Sequence, residues 1–393
     1  MNDLIRAKLK GLKKTIEETS RRFLDFDLSK DGAIKFSDCV SSVMKEMNFD
    51  SFKQDKIGNV IGVIKGYENK QSLVLVSHID TNGGEYCKFG VLTALYTGAL
   101  IKRASLPLTG DLVICCVPRS EGYNFGIKYL FDEYLKEKVK NIKGVMLCEP
   151  TDFNIYLGHK GKIEYEIAVR GKINKEFLAN RGINMLGSMF PLINELEKVS
   201  HTLPKDCELG SSSLTIKDVQ YENAVPWEDK KEFKVVVDRI FIPEENPVAI
   251  LSRAKSIGKA VYNGEQGIEV STALSKRKIK TYTGFEIVSE KEFKPWKIES
   301  HNPLVLGSLE TLKENKFKSS LGYWQKLFTE GSYTYGQLGI PTIGFGAGKE
   351  EFIGSPLESV LGINELEKAI YGQTLITYKN LGMPTFGWCA DEI

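Results

Sequence analysis

Histidine is scarce in this chain, with four among 393 residues, so a histidine-rich metal centre is excluded. Charge of one sign is missing too. Fifty-three basic and 51 acidic side chains leave a net +2, which gives no electrostatic footing for nucleic acid or a membrane surface. No apolar run approaches the ~20 residues of a membrane span. Residues 1–14 are polar and amphipathic, so no signal peptide is expected. Seven cysteines in no regular spacing argue against a disulfide framework and for reduced thiols in a cytoplasmic protein. Of these, Cys115, Cys116 and Cys148 lie in or beside apolar strands and read as small buried hydrophobes. Low-complexity tracts and internal repeats are absent. The Lys-rich stretches 8–14 and 276–280 are interrupted by apolar residues and read as solvated faces.

What is present is the composition of a globular chain, 42% hydrophobic and 26% charged, and too long for one core. An amphipathic helix is expected over about residues 1–23, carried by Leu4, Leu9, Leu12 and Ile16. Strands at 56–66 and 72–78 precede a helix at 90–103, a strand at 111–117, a helix at 125–136 and a strand at 144–148. That alternation predicts a central, mostly parallel sheet flanked by helices. Between about 158 and 282 the texture changes. Ile163, Tyr165, Ile167 and Val169 alternate strictly with polar residues, as in a half-exposed antiparallel strand. The β-α-β-β-α-β order there predicts an inserted two-layer α+β domain. The α/β pattern then resumes with a helix at 303–313, a strand at 341–345 and a helix at 363–380. The expected division is 1–160 with 283–393 as one α/β domain, and 161–282 as a lid or dimerisation domain.

The most informative stretch is Ser77-His78-Ile79-Asp80-Thr81, directly after the apolar run Leu73-Val74-Leu75-Val76. On a strand, residues two apart share a face, so His78 and Asp80 can serve one site. His78 offers an imidazole nitrogen, and Asp80 can orient it or bind directly. In a parallel sheet functional groups gather at the carboxyl ends of the strands, where His78, Glu121 and Glu149 all fall. The alternative is an inherited hydrogen-bonded pair.

Several segments together resemble the M20 metallopeptidase family of aminoacylases, deacylases and carboxypeptidases. They are Gly58-Asn59-Val60-Ile61-Gly62, Ser77 to Thr81, Cys148-Glu149-Pro150-Thr151, Gly158-His159-Lys160-Gly161 and Gly182-Ile183-Asn184. Further matches are Asn223-Ala224-Val225-Pro226, Val237-Asp238-Arg239, the segment 339–348 and Pro356-Leu357-Glu358-Ser359-Val360. They occur in family order across nearly the whole chain. The resemblance implies a catalytic α/β domain with a dimerising lid, metal ligands at His78, Glu149 and Glu121, and substrate contacts at Arg239 and Asn223.

The chain also departs from that family's pattern. Active members hold two zinc ions about 3.5–4 Å apart, which requires a bridging carboxylate. Aligned on Lys88, the bridge position here is Tyr86. Ser120 stands where the general base belongs, a role worth roughly 10²–10⁴-fold, and its hydroxyl cannot deprotonate water near neutral pH. Gly354 takes the place of the distal histidine, and Asn174-Lys175 that of the lid histidine. The remaining histidines, His159, His201 and His301, match no metal position. The reading is of a family homologue that has lost its two-metal centre, with no cofactor or one divalent metal, zinc in preference. It would bind or scaffold, as a homodimer, a small amino-acid-like or peptide-like ligand or a protein partner. The alternative is a divergent metal-dependent hydrolase of an amide or peptide bond, with Asp80 orienting His78. Cys87, near the bridge position, is a further candidate as thiolate ligand or nucleophile; a small residue at a helix start is the plainer account.

Overall fold

The computed structural model describes residues 1–27, 30–68, 70–80, 86–118, 123–136, 141–172, 185–222, 230–263, 268–353 and 361–383. Its contacts divide into two units. The first comprises 1–158, 280–287 and 297–393; the second comprises 159–279 and 288–296. The chain thus returns to the first unit for eight residues and then goes back to the second, an excursion that sequence periodicity does not reveal.

The first unit is built on strand Lys70–Asp80, which lies between Gly110–Pro118 and Ile142–Leu147 and runs parallel to both. Thr342–Gly344 extends the parallel array beyond Ile142–Leu147. Val60–Ile64 and then Ser51–Gln54 continue the other side antiparallel. Leu73, Val74, Leu75 and Val76 are all fully buried, the pattern of a strand covered on both faces. Helix Tyr86–Arg103 packs on this strand and against helix Ile363–Leu381. Small residues permit the close approach: a Cβ on Gly98 would meet Ile64 Cδ1 and Phe49 Cζ at 2.8 Å. Among the described residues no helix is long and apolar enough to cross a membrane.

The second unit is an antiparallel sheet in the order Ser213–Glu222, Lys230–Phe241, Gly161–Lys172, Ile268–Leu274. Helices Met185–Ser200 and Pro247–Val261 pack against it. The alternating residues Ile163, Tyr165, Ile167 and Val169 form its core with Leu192, Leu196, Phe233, Val235 and Val237. Short strand Glu292–Phe293, from the returning segment, pairs with Gly161–Lys172.

Two elements differ from expectation. The single helix expected over 1–23 is two helices, Asn2–Lys10 and Lys13–Leu24, broken at Gly11-Leu12. Gly11 supplies the weak point, since glycine costs a helix interior roughly 0.5–1 kcal/mol. A helix at Lys30–Glu46, not anticipated, buries Ala33, Phe36, Val40, Val43 and Met44 on one face. The helix expected over 125–136 is one α-helical turn, Phe125–Tyr129, followed by a π-helical turn at Leu130–Tyr134.

Candidate metal centre

His78 lies near the carboxyl end of strand Lys70–Asp80, and its side chain is buried. Glu149 follows the end of the neighbouring parallel strand Ile142–Leu147. Its position is fixed through Cys148, whose N–H donates to the Val76 carbonyl at 2.8 Å, one step beyond the regular ladder. Two glycines allow the chain to close around this corner. A Cβ on Gly90 would meet the Cys148 carbonyl oxygen at 2.5 Å, and one on Gly346 would meet the Glu149 carbonyl oxygen at 2.5 Å. The loop carrying Gly346 is tied to the segment after Glu149. Gly346 N–H donates to Thr151 Oγ1 at 3.0 Å, and Asp152 N–H to the Gly348 carbonyl at 2.7 Å.

A second carboxylate completes the group. Glu330 is buried and opens the helical turn Gly331–Thr334. Thr334 N–H donates to the Glu330 carbonyl at 3.0 Å, and the Thr334 and Thr342 hydroxyls are 2.8 Å apart, tethering the turn to strand Thr342–Gly344. The turn is held from outside as well, because the Tyr333 hydroxyl donates to the Asp132 carboxylate of the π-helical turn. Glu330 Oε2 lies 3.0 Å from His78 Nε2, and Glu149 Oε1 contacts the same nitrogen.

The three donor atoms lie within 4.8 Å of one another, and all three residues are buried. Two carboxylates this close repel, and a buried pair persists only with compensating positive charge, a proton or a cation. One imidazole nitrogen and two carboxylate oxygens fit a single divalent ion with an open coordination position. Two ions would need a bridge and terminal ligands on both sides, more donors than these three atoms. Cys148, beside Glu149, is not among the clustered donors. Burial pushes its thiol well above the ordinary range, and nearby Cys116 and Glu149 push the same way.

Of the residues expected in the site, His78 and Glu149 come together. The side chains of Asp80, Tyr86 and Cys87 lie outside the described residues, as do Ser120, Glu121, Asn223 and Gly354. Arg239 belongs to the second unit, where it is buried on strand Lys230–Phe241. Its guanidinium donates to the Glu245 carboxylate, to the Ser213 carbonyl at 3.2 Å and to the Ile240 carbonyl. Sequence reasoning missed Glu330 as a ligand candidate. The available signal was a lone carboxylate in Thr329-Glu330-Gly331, directly before a turn of small and aromatic residues. Two of the other histidines are engaged elsewhere: His159 Nδ1 lies 2.7 Å from the Lys160 carbonyl, and His201 sits exposed beside Glu197.

Comparison with known proteins bears on the fold. The chain has the fold of the M20-family peptidases. It superposes on the dipeptidase Dug1p of Saccharomyces cerevisiae with a TM-score of 0.69 at 10% identity, covering 97% of this chain and 98% of that one. Against the dinuclear metal-binding M20 peptidase YxeP of Bacillus subtilis the TM-score is 0.67 at 13% identity, covering 94% and 99%. In sequence it is 23% identical over 344 residues to the uncharacterised protein YgeY of Escherichia coli K12, spanning 81% of this chain and 83% of that one. No protein-family model matches the chain.

Proposed function

We propose that this chain is an M20-peptidase-like protein with a reduced metal centre. It holds at most one divalent cation, through His78, Glu149 and Glu330, and binds small amino-acid-like or peptide-like ligands without hydrolysing them. One observation carries this reading: among the described residues a single imidazole nitrogen is contacted by two buried carboxylates, a donor set suited to one divalent cation. A bound cation would supply Lewis acidity toward a ligand carbonyl. The chain's own residues would do the rest. His78 and the two carboxylates hold and orient, and the glycine-lined loop brings backbone close to the ligand. By the family resemblance Ser120 stands in sequence where the general base belongs, and a carboxylate engaged as a ligand cannot also serve as the base. From the family resemblance we assign the second unit the role of a lid and dimerisation domain, and the irregularly spaced cysteines favour a cytoplasmic protein.

A second reading rests on the same three donors. Three protein ligands with one open position is the arrangement of catalytic rather than structural zinc. That favours a divergent one-metal hydrolase of amide or peptide bonds.

Metal analysis and turnover separate the two. Purified protein dialysed against zinc is expected to retain no more than one equivalent, His78→Ala is expected to lose it, and N-acyl amino acids and dipeptides are expected to remain intact. Two tightly held equivalents, or hydrolysis that His78→Ala abolishes, would overturn the non-hydrolytic reading.

A further inference from the structure

A second site lies in the first unit and shares no residue with the His78 cluster. A cavity of about 360 Å³ opens where helix Asn2–Lys10, the turn after helix Pro303–Glu314 and helix Ile363–Leu381 meet. Its charged lining is lopsided in a chain that is almost neutral as a whole. Arg6, Lys10, Lys316 and Lys368 face a single carboxylate, Glu367. That carboxylate is already answered by Lys13, 3.4 Å away. Among the described residues none of the four cations has a carboxylate within 4 Å.

Two of the cations are nevertheless held in place. The Arg6 guanidinium lies 5.2 Å over the Tyr371 ring, and its Nε donates to the Tyr371 hydroxyl at 3.1 Å. The Lys368 ammonium lies 3.9 Å over Phe153 and 5.5 Å over Phe317. Contacts with aromatic faces position a cation without cancelling its charge, whereas an ion pair would do both. The floor is also fixed: Phe317 and Tyr371 stack at 6.1 Å, and the Tyr371 hydroxyl donates to Asn315 Oδ1 at 2.9 Å. With Nε committed to Tyr371, the two terminal amino groups of Arg6 meet no acceptor among the described residues, and they suit the paired oxygens of a phosphate.

We propose that this cavity binds a small organic phosphate of nucleotide size. The phosphate would be taken by Arg6, Lys10, Lys316 and Lys368, and the organic part would lie along Leu9 and the exposed edges of Phe317 and Tyr371. A phosphate group carries close to two charges and three acceptor oxygens, which matches several uncompensated cations better than one carboxylate does. The volume lies within the range of ordinary ligand pockets.

The test titrates the full chain calorimetrically with adenosine monophosphate, adenosine and inorganic phosphate at low ionic strength, where exposed charges are least screened. Saturable binding of the nucleotide is expected, with adenosine and inorganic phosphate each at least about tenfold weaker. The Arg6→Gln/Lys368→Gln double variant is expected to weaken nucleotide binding by about tenfold or more, while His78→Ala leaves it unchanged. Both substituted side chains are exposed, and a thermal melt of the variant verifies that it is folded. Should the double variant melt early, Lys10→Gln/Lys316→Gln serves in its place. Absence of saturable binding, binding unaffected by either double variant, or inorganic phosphate binding as tightly as the nucleotide would each overturn the proposal.

Discussion

Gly346 shows what a single residue contributes to the metal corner. The Glu149 carbonyl oxygen would lie 2.5 Å from any Cβ at this position, and backbone on both sides has no flexible end to move aside. Gly346→Ala is therefore expected to displace Glu149 and to destabilise the protein by about 1–3 kcal/mol, the usual cost of overpacking. Chemical denaturation reads the stability, and zinc titration reads the loss of affinity. An unchanged midpoint and unchanged affinity would show that the loop yields freely. His78 and Glu149 could be read from sequence because each closes an apolar strand run, and parallel strands bring their carboxyl ends together. Glu330 could not. It stands before a four-residue turn with no periodicity, and it is delivered to His78 by tertiary tethers, the Thr334–Thr342 hydroxyl pair and the Tyr333–Asp132 hydrogen bond.

Strand Gly161–Lys172 illustrates how an element is stabilised through its less obvious face. Its odd-numbered residues fill the core of the second unit. On the other face, Glu164 is also buried and is surrounded by Lys217 Nζ at 2.5 Å, Lys291 Nζ at 3.3 Å and Arg277 at 3.8 Å. Burial alone would raise its carboxyl, but the hydrogen bond from Lys217 and the nearby Lys291 charge outweigh that and hold it below its ordinary value. A carboxylate depressed in the folded state stabilises above its unfolded value, and the contribution is lost as pH falls through the folded value. Wild type is therefore expected to be more stable than Glu164→Gln at about pH 7 and to lose that advantage toward about pH 3. Urea midpoints at both pH values check it; a gap that stays constant would contradict it. Alternation exposed this strand in the sequence, because period two is strict at 163–169. Helix Lys30–Glu46 escaped notice although its apolar residues recur at helical spacing, since Gly32 and interspersed Ser, Cys and Asp dilute the signal. The break between the first two helices depends on the local capping of Leu12, whose N–H reaches back to the Leu9 carbonyl.

At the scale of the whole molecule, the net charge is close to zero, and among the described residues no helix is long and apolar enough to cross a membrane. With the second unit assigned to dimerisation, light scattering coupled to size exclusion is expected to give twice the chain mass at micromolar concentration. A monomer mass that persists at high concentration would remove that assignment. The α/β-plus-insertion plan was legible because it is written in segment-length periodicity, which local sequence carries directly.

The excursion at 280–287 has a practical consequence. Tyr282 donates its hydroxyl to the Gly58 carbonyl and accepts from Gln54 Nε2 at 3.1 Å, all within the first unit. Directly afterwards the chain returns to lay Glu292–Phe293 on the second unit's central strand. The polypeptide therefore passes between the units four times. Severing the chain at two points cannot liberate either body intact: a fragment ending near 280 forfeits an edge strand, and one extended to 296 carries off the phenol that Gly58 relies on. Anyone wishing to study the insertion in isolation would have to splice 279 directly to 288.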